Sequence, residues 1–259
     1  MVAVDKVTGN SAEYRLCLKR SIRGQFCLEQ VVVLKEIYLV RHGQASFGAA
    51  NYDQLSPLGH QQSVWLGEYY RERAIDFDRV LVGDLVRQRE TADRICQGMA
   101  RSTHDFTVLP ELNEFNFGGL VDSYLTRFPD EGGFDDKSDR RFYFRTLKKA
   151  IALWQRDELH APAIESWQVC FDRVAGVLQR LQASADGERL LVVSSGGIMA
   201  MAVTQILKAA PETVIELNLQ IKNTGVINLI GSSNSLRLSG FNHLPHLDRA
   251  DRLTAVTYS

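Results

Sequence analysis

The stretch Tyr38-Leu39-Val40-Arg41-His42-Gly43-Gln44-Ala45-Ser46 decides how the chain is read. Its apolar run, Ile37 to Val40, has the pattern of a buried strand, and it halts at an arginine, a histidine and a glycine. The chain thus delivers a cation and an imidazole to the carboxyl end of a strand, where ligands bind in open α/β sheets. Gly43 is expected to let the backbone turn there without a Cβ penalty. Taken alone, an Arg-His pair reads most simply as a strand end and a polar loop with an idle imidazole. The case for a site therefore rests on the segments around it.

Downstream, Ser56-Pro57-Leu58-Gly59 reads as an N-cap serine with proline in the first helical position. The helix it opens is expected to run to about Arg73, with Val64, Trp65, Leu66 and Tyr69 on its buried side. Arg79 to Gly83 reads as a second strand, and Asp84 as the cap of a helix from Leu85 to about Gln97 that Gly98 ends. Thr107 to Leu109 is a short strand closed by Pro110. Glu165 to Leu181 is a long helix, Leu190 to Val193 a buried strand, and Ser194-Ser195-Gly196-Gly197 turns it into an apolar helix over Ile198 to Leu207. A short helix over Pro211 to Leu217 and strands at Val226–Ile230 and Leu236–Leu238 follow. Strands alternating with helices imply parallel pairing through crossover helices. The expected fold is α/β: a three-layer α/β/α sandwich with a mostly parallel sheet. Residues 118–162, with Gly132-Gly133, the charged run Asp135 to Arg141 and the aromatics Phe142 to Phe144, break the rhythm and read as an inserted helical or loop cap. The expected layout is therefore an N-terminal extension over 1–34 and one domain over 35–259.

The extension lacks periodicity and carries Arg15, Lys19, Arg20 and Arg23. It reads as a poorly ordered tail or as sequence upstream of the true start, more simply than as a targeting segment, which Asp5 and Glu13 disfavour. Across all 259 residues the net charge is −1, which gives no general attraction to nucleic acid or to an anionic membrane. Cys17, Cys27, Cys96 and Cys170 lack CxxC spacing, so reduced thiols in a cytoplasmic protein are expected. No apolar run is long enough to span a membrane, because Lys35 and Glu36 interrupt Val31 to Val40. Oligomeric state is not legible.

Three strand ends converge on one crevice: Arg41 and His42 after the first, Arg87 one turn into the next helix, and Ser194 to Gly197 after the last. Two guanidiniums and a helix N-terminus behind paired glycines suit a phosphoryl group. Leu112-Asn113-Glu114-Phe115 adds a carboxyl group on a loop. A neutral imidazole can attack phosphorus while the arginines hold its oxygens and the carboxyl protonates the leaving oxygen.

Four segments in order carry a family resemblance: Leu39-Val40-Arg41-His42-Gly43, Leu55-Ser56-Pro57-Leu58-Gly59 with Gln61 or Gln62, Leu85-Val86-Arg87 with Thr91-Ala92, and Leu112-Asn113-Glu114. Together they resemble the histidine phosphatase superfamily, also called phosphoglycerate mutase-like, over roughly residues 36–245. The resemblance implies a metal-independent phosphomonoester hydrolase that needs no cofactor and acts on a phosphorylated small molecule. It implies His42 as the nucleophile that becomes phosphohistidine, Glu114 as general acid and later base, and Arg41 and Arg87 as the phosphate clamp, with Ser195 and Gly196 as further phosphate contacts. Asn223 matches a position near the pocket. Two departures stand out. Ser195 replaces the family's second histidine, so a cationic donor becomes a shorter neutral one, a loss worth on the order of a hundredfold in rate. Glu90 replaces a glutamine and is expected either to neutralise Arg87 in part or to face Arg94. The alternatives are a protein that binds a phosphorylated ligand without turning it over and, behind that, a mutase.

Overall fold

The computed structural model describes residues 3–6, 13–17, 31–46, 53–101, 105–131, 140–160 and 164–258. Within the N-terminal extension, β1 (Ala3–Lys6), β2 (Glu13–Cys17) and β3 (Val31–Val33) form a three-stranded antiparallel sheet. The main body runs β4 (Lys35–Arg41), α1 (Pro57–Glu72), β5 (Arg79–Val82), α2 (Val86–Gly98), β6 (Phe106–Val108), α3 (Phe117–Arg127), α4 (Arg140–Gln155), α5 (Trp167–Gln182), β7 (Arg189–Ser194), α6 (Gly196–Leu207), α7 (Thr213–Gln220), β8 (Val226–Ser232) and β9 (Ser235–His243). The six-stranded sheet has the order β6-β5-β7-β4-β8-β9. β6, β5, β7 and β4 pair in parallel, and β8 and β9 add antiparallel strands at the other side.

The period-two alternation of strand side chains divides the core into two layers. On one face Ile37, Leu39, Leu190 and Val192 pack with Leu120, Trp154, Val174 and Met199 from α3 to α6. On the other, Val40, Val80, Val82, Leu191 and Val193 pack with Leu66, Tyr70, Ala92 and Ile95 from α1 and α2. Helices on both faces of a mostly parallel sheet make the expected three layers. Cys96 and Cys170 are buried, and burial raises both thiol pKa values, that of Cys96 to about 11. Among the described residues no helix is long and apolar enough to cross a membrane.

Local expectations changed where helices meet. Ser56 caps α1 as expected, accepting from the Gly59 N–H at 3.0 Å. The buried side of α1, however, is Gln62, Ser63, Leu66, Gly67 and Tyr70, while Val64, Trp65 and Tyr69 are half-buried. The cause is the close approach of α2. A Cβ on Gly67 would lie 2.0 Å from the Ile95 carbonyl oxygen, and one on Gly98 would lie 2.2 Å from that of Val64. Gly98 is thus a contact residue inside α2, and Met99 is the C-cap. Gly43, likewise, does not take a positive φ; a Cβ there would meet the Gly59 carbonyl oxygen at 2.5 Å.

Candidate active site

At the carboxyl end of β4, backbone bonds from neighbouring strands and loops fix His42. Its N–H donates to the Ser194 carbonyl at 2.9 Å, and its own carbonyl accepts from Asn223 Nδ2 at 3.1 Å. Asn223 thus lies under the site, holding the backbone that carries the imidazole. The residue is 4% exposed, with Nδ1 2.8 Å from the Gly43 carbonyl oxygen. A carbonyl only accepts, so Nδ1 carries the hydrogen and Nε2 carries the lone pair. Arg87 Nε lies 3.3 Å from that Nε2. Burial, then the Arg87 and Arg41 charges, push the imidazole pKa well below its usual value, outweighing the Gly43 carbonyl. His42 is therefore a neutral base with its lone pair aimed toward a cation.

Arg87 is the second residue of α2, and its Nη1 pairs with Asp53 at 2.6 Å. The other oxygen of Asp53 accepts from the Val86 N–H at 2.9 Å. Asp53, from the loop before α1, thus takes the capping place expected of Asp84. Asp84 instead bonds with Asn113, its N–H donating to Asn113 Oδ1 at 2.9 Å. Sequence reasoning missed Asp53 because a lone acid in a loop carries no local signal; its part appears only when the loop meets α2. Glu90 has a partner other than Arg94. It accepts from the Leu55 N–H at 2.8 Å, tying down the same loop, while Arg94 contacts His60 and Gln97. Between Gln61 and Gln62, the buried one is Gln62, which accepts from the Gln44 N–H at 2.9 Å and donates to the Ala255 carbonyl at 2.7 Å.

Glu114 comes from the loop before α3. Its Oε2 accepts from the Gly197 N–H at the start of α6 at 2.9 Å. A Cβ on residue 197 would lie 2.6 Å from Glu114 Oε1, so a glycine permits this approach. Burial raises the carboxyl pKa, outweighing the Gly197 N–H, the Arg87 and Arg41 charges and the Phe115 N–H. Arg41 donates through Nη1 to the carbonyls of Ile221 and Tyr258, which brings the C-terminal segment to the site. A Cβ on Gly196 would stand 3.4 Å from Arg41 Nε.

Ser195 is fully buried, and its Oγ accepts from Gln88 Nε2 at 2.8 Å. Gln88 also donates to the Leu112 carbonyl at 3.1 Å, linking α2, the acid loop and the start of α6. Arg41, Arg87 and Glu114 line one end of a cavity of about 620 Å³. His42 and Ser195 are buried, in contact with Arg87 and Gln88 respectively, and do not themselves line the cavity. Chemically, the cluster offers a lone-pair nitrogen, two cations and a carboxyl that tends to keep its proton.

The pattern of the histidine phosphatase superfamily (branch 1) matches residues 37–243. The adenosylcobalamin/alpha-ribazole phosphatase of Salmonella typhimurium is 30% identical over 179 residues, 66% of this chain and 79% of that protein. Phosphoglycerate mutase from Bacillus anthracis str. Sterne superposes with a TM-score of 0.59 at 16% identity, over 83% of this chain and 96% of that one. Phosphoserine phosphatase from Entamoeba histolytica, solved in complex with 3-phosphoglyceric acid, gives 0.54 at 21% identity, over 82% and 99%. With the matched pattern running from the first residues of the central strand to the end of the last one, the chain belongs to the histidine phosphatase superfamily.

Proposed function

We propose that the protein hydrolyses phosphomonoesters through a phosphohistidine on His42. The observation that carries this reading is the 3.3 Å approach of Arg87 Nε to His42 Nε2, with the Glu114 carboxyl group and Arg41 on the same cavity. Without ligand, Arg87 caps the Nε2 lone pair. A phosphoryl group offers the guanidinium a better acceptor in its charged oxygens, which releases the lone pair toward phosphorus. The Nε2–P bond then forms as the P–O bond to the leaving group breaks, and protonated Glu114 gives its proton to the departing oxygen. Water next attacks phosphorus, the resulting Glu114 carboxylate takes its proton, and the N–P bond breaks to release phosphate and restore the imidazole. Arg41 and Arg87 hold the phosphoryl oxygens, with Ser195 and the Gly196 end of α6 as further donors. The sequence places no metal or cofactor in this scheme.

Hydrolysis of an aryl phosphate beside His42→Ala tests it: the variant is expected to lose the activity and the acid-labile phosphohistidine that the wild type can be trapped with. Equal rates would end the proposal. Ser195 supports a second reading, because a neutral hydroxyl already engaged by Gln88 stands where the family has a histidine. Under that reading calorimetry detects tight binding of a phosphorylated metabolite with no hydrolysis.

A further inference from the structure

The cavity that holds Arg41, Arg87 and Glu114 at one end continues into an apolar chamber. Its apolar lining is Phe115, Phe117, Tyr143, Phe144, Leu147 and Leu219, from the acid loop, α3, α4 and α7, with Phe115 beside Glu114 at Gly197. Phe115 and Phe117 meet edge to face with centroids 4.5 Å apart, and Tyr143 and Phe144 do the same at 5.7 Å. Besides Arg41, Arg87 and Glu114, the polar side chains on the described lining are Asn116, Asn218 and the tyrosines Tyr143 and Tyr258. Asn218 Oδ1 lies 2.7 Å from where a Gly196 Cβ would be, and Asn116 accepts from the Gly119 N–H at 2.9 Å to cap α3. Among the described residues the only cations on the lining are Arg41 and Arg87, both at the reacting end.

We infer that the leaving group is an apolar alcohol, aliphatic or aromatic, bound in this chamber while its phosphate faces His42. At about 620 Å³ the cavity is larger than a three-carbon phosphate needs and falls within the range of pockets that enclose a drug-sized molecule. Among the described lining residues a second anionic group on the substrate would meet phenyl rings and leucines, with no cation beyond Arg41 and Arg87 to replace its lost water. Arg141, Arg145 and Lys148 line a neighbouring depression that shares Phe144 and Leu219 with the chamber, and Lys148 pairs with Glu216. Among the described residues these cations, and Lys222 with its Nζ 5.7 Å from the centroid of the Tyr258 ring, are the groups beside the cavity that an anionic tail could reach.

The test uses n-alkyl phosphates from ethyl to octyl, whose leaving-group basicity barely changes, beside phosphoserine, 3-phosphoglycerate and 6-phosphohexanoate. The expected result is a rise in kcat/KM of about fourfold per methylene up to about hexyl, since binding energy of a remote group lowers the barrier. Hexyl phosphate is expected to exceed both polar three-carbon esters and its ω-carboxylated counterpart. The kinetic arm rests on the phosphatase reading; a second arm does not. Uncleavable n-alkylphosphonates, titrated by calorimetry into wild type and His42→Ala, are expected to show the same length dependence in Kd. Phe144→Ser should flatten both series, and Leu219→Ser, at a more exposed position, should do so if the first variant fails to fold. A length-independent series in both arms, or preference for 3-phosphoglycerate or 6-phosphohexanoate, overturns the inference. Rising phosphonate affinity with no hydrolysis of any ester leaves the chamber assigned and removes the phosphatase. His42-dependent hydrolysis without length dependence does the reverse.

Discussion

His42 and Glu114 ordinarily titrate in the wrong order for one to attack while the other donates a proton. A free imidazole near 6.5 is charged over most of the range in which a free carboxyl near 4.5 keeps its proton. Here burial and two guanidiniums push the imidazole down, and burial pushes the carboxyl up. Both shifts widen the pH range in which a neutral imidazole and a protonated carboxyl coexist, as the proposed mechanism needs. Activity is therefore expected to fall as pH rises through the elevated Glu114 pKa, and to persist on the acid side below the usual histidine range. Under the proposed mechanism Glu114→Gln removes the proton donor, so it should lower kcat on an alkyl phosphate by about 10²–10⁴ and on 4-nitrophenyl phosphate, whose leaving group needs little help, far less. Equal losses on the two substrates would remove Glu114 from the acid role. Arg41, His42, Arg87 and Glu114 were legible because each stands beside a recognisable strand end, helix start or loop. Gln88 and Asp53 were not, since their roles consist of contacts with residues far along the chain.

Packing of α1 on α2 holds the loop that carries Asp53 and the helix that carries Arg87 in one frame. That packing is close because Gly67 and Gly98 face each other's helix with no side chain between. Gly98→Ala gains up to about 1 kcal/mol of helix propensity. It also drives a Cβ to 2.2 Å from the Val64 carbonyl oxygen, and relieving such an overlap typically costs about 1–3 kcal/mol. The variant is expected to be less stable than wild type in urea unfolding, and a raised midpoint would show that the helices separate freely. From the sequence Gly98 reads as a helix terminator because chain position is all that a pattern records. Its use as a contact follows from the spacing between two helices, which no local pattern encodes.

Across the whole molecule, the loop from Asn223 joins the site to a second buried histidine. Thr224 Oγ1 donates to the Asn223 carbonyl at 2.7 Å, so His246 Nε2, 2.8 Å from that hydroxyl, is the donor in their contact. Burial and the Arg252 charge lower the His246 pKa to about 3. The unfolded chain takes up this proton near pH 6.5 while the folded chain refuses it, so stability falls as pH drops from about 6.5 toward 3. The loss approaches about 1.4 kcal/mol per pH unit for one such group. His246→Gln should reduce that slope in urea unfolding between pH 7 and pH 5, and parallel slopes in the two proteins would contradict the assignment. The sequence by itself determined the alternation of strands and helices, the layers they form, and the candidate nucleophile, clamp and acid. These follow from hydrophobic period, capping residues and strand ends, all readable within a few residues of each position. Tertiary structure alone decided that Asp53 meets Arg87, that Gln88 engages Ser195, that Asn223 braces His42, and that the site opens onto aromatic rings. Each of these needs the distance between segments that the chain separates, and such distances are set by packing.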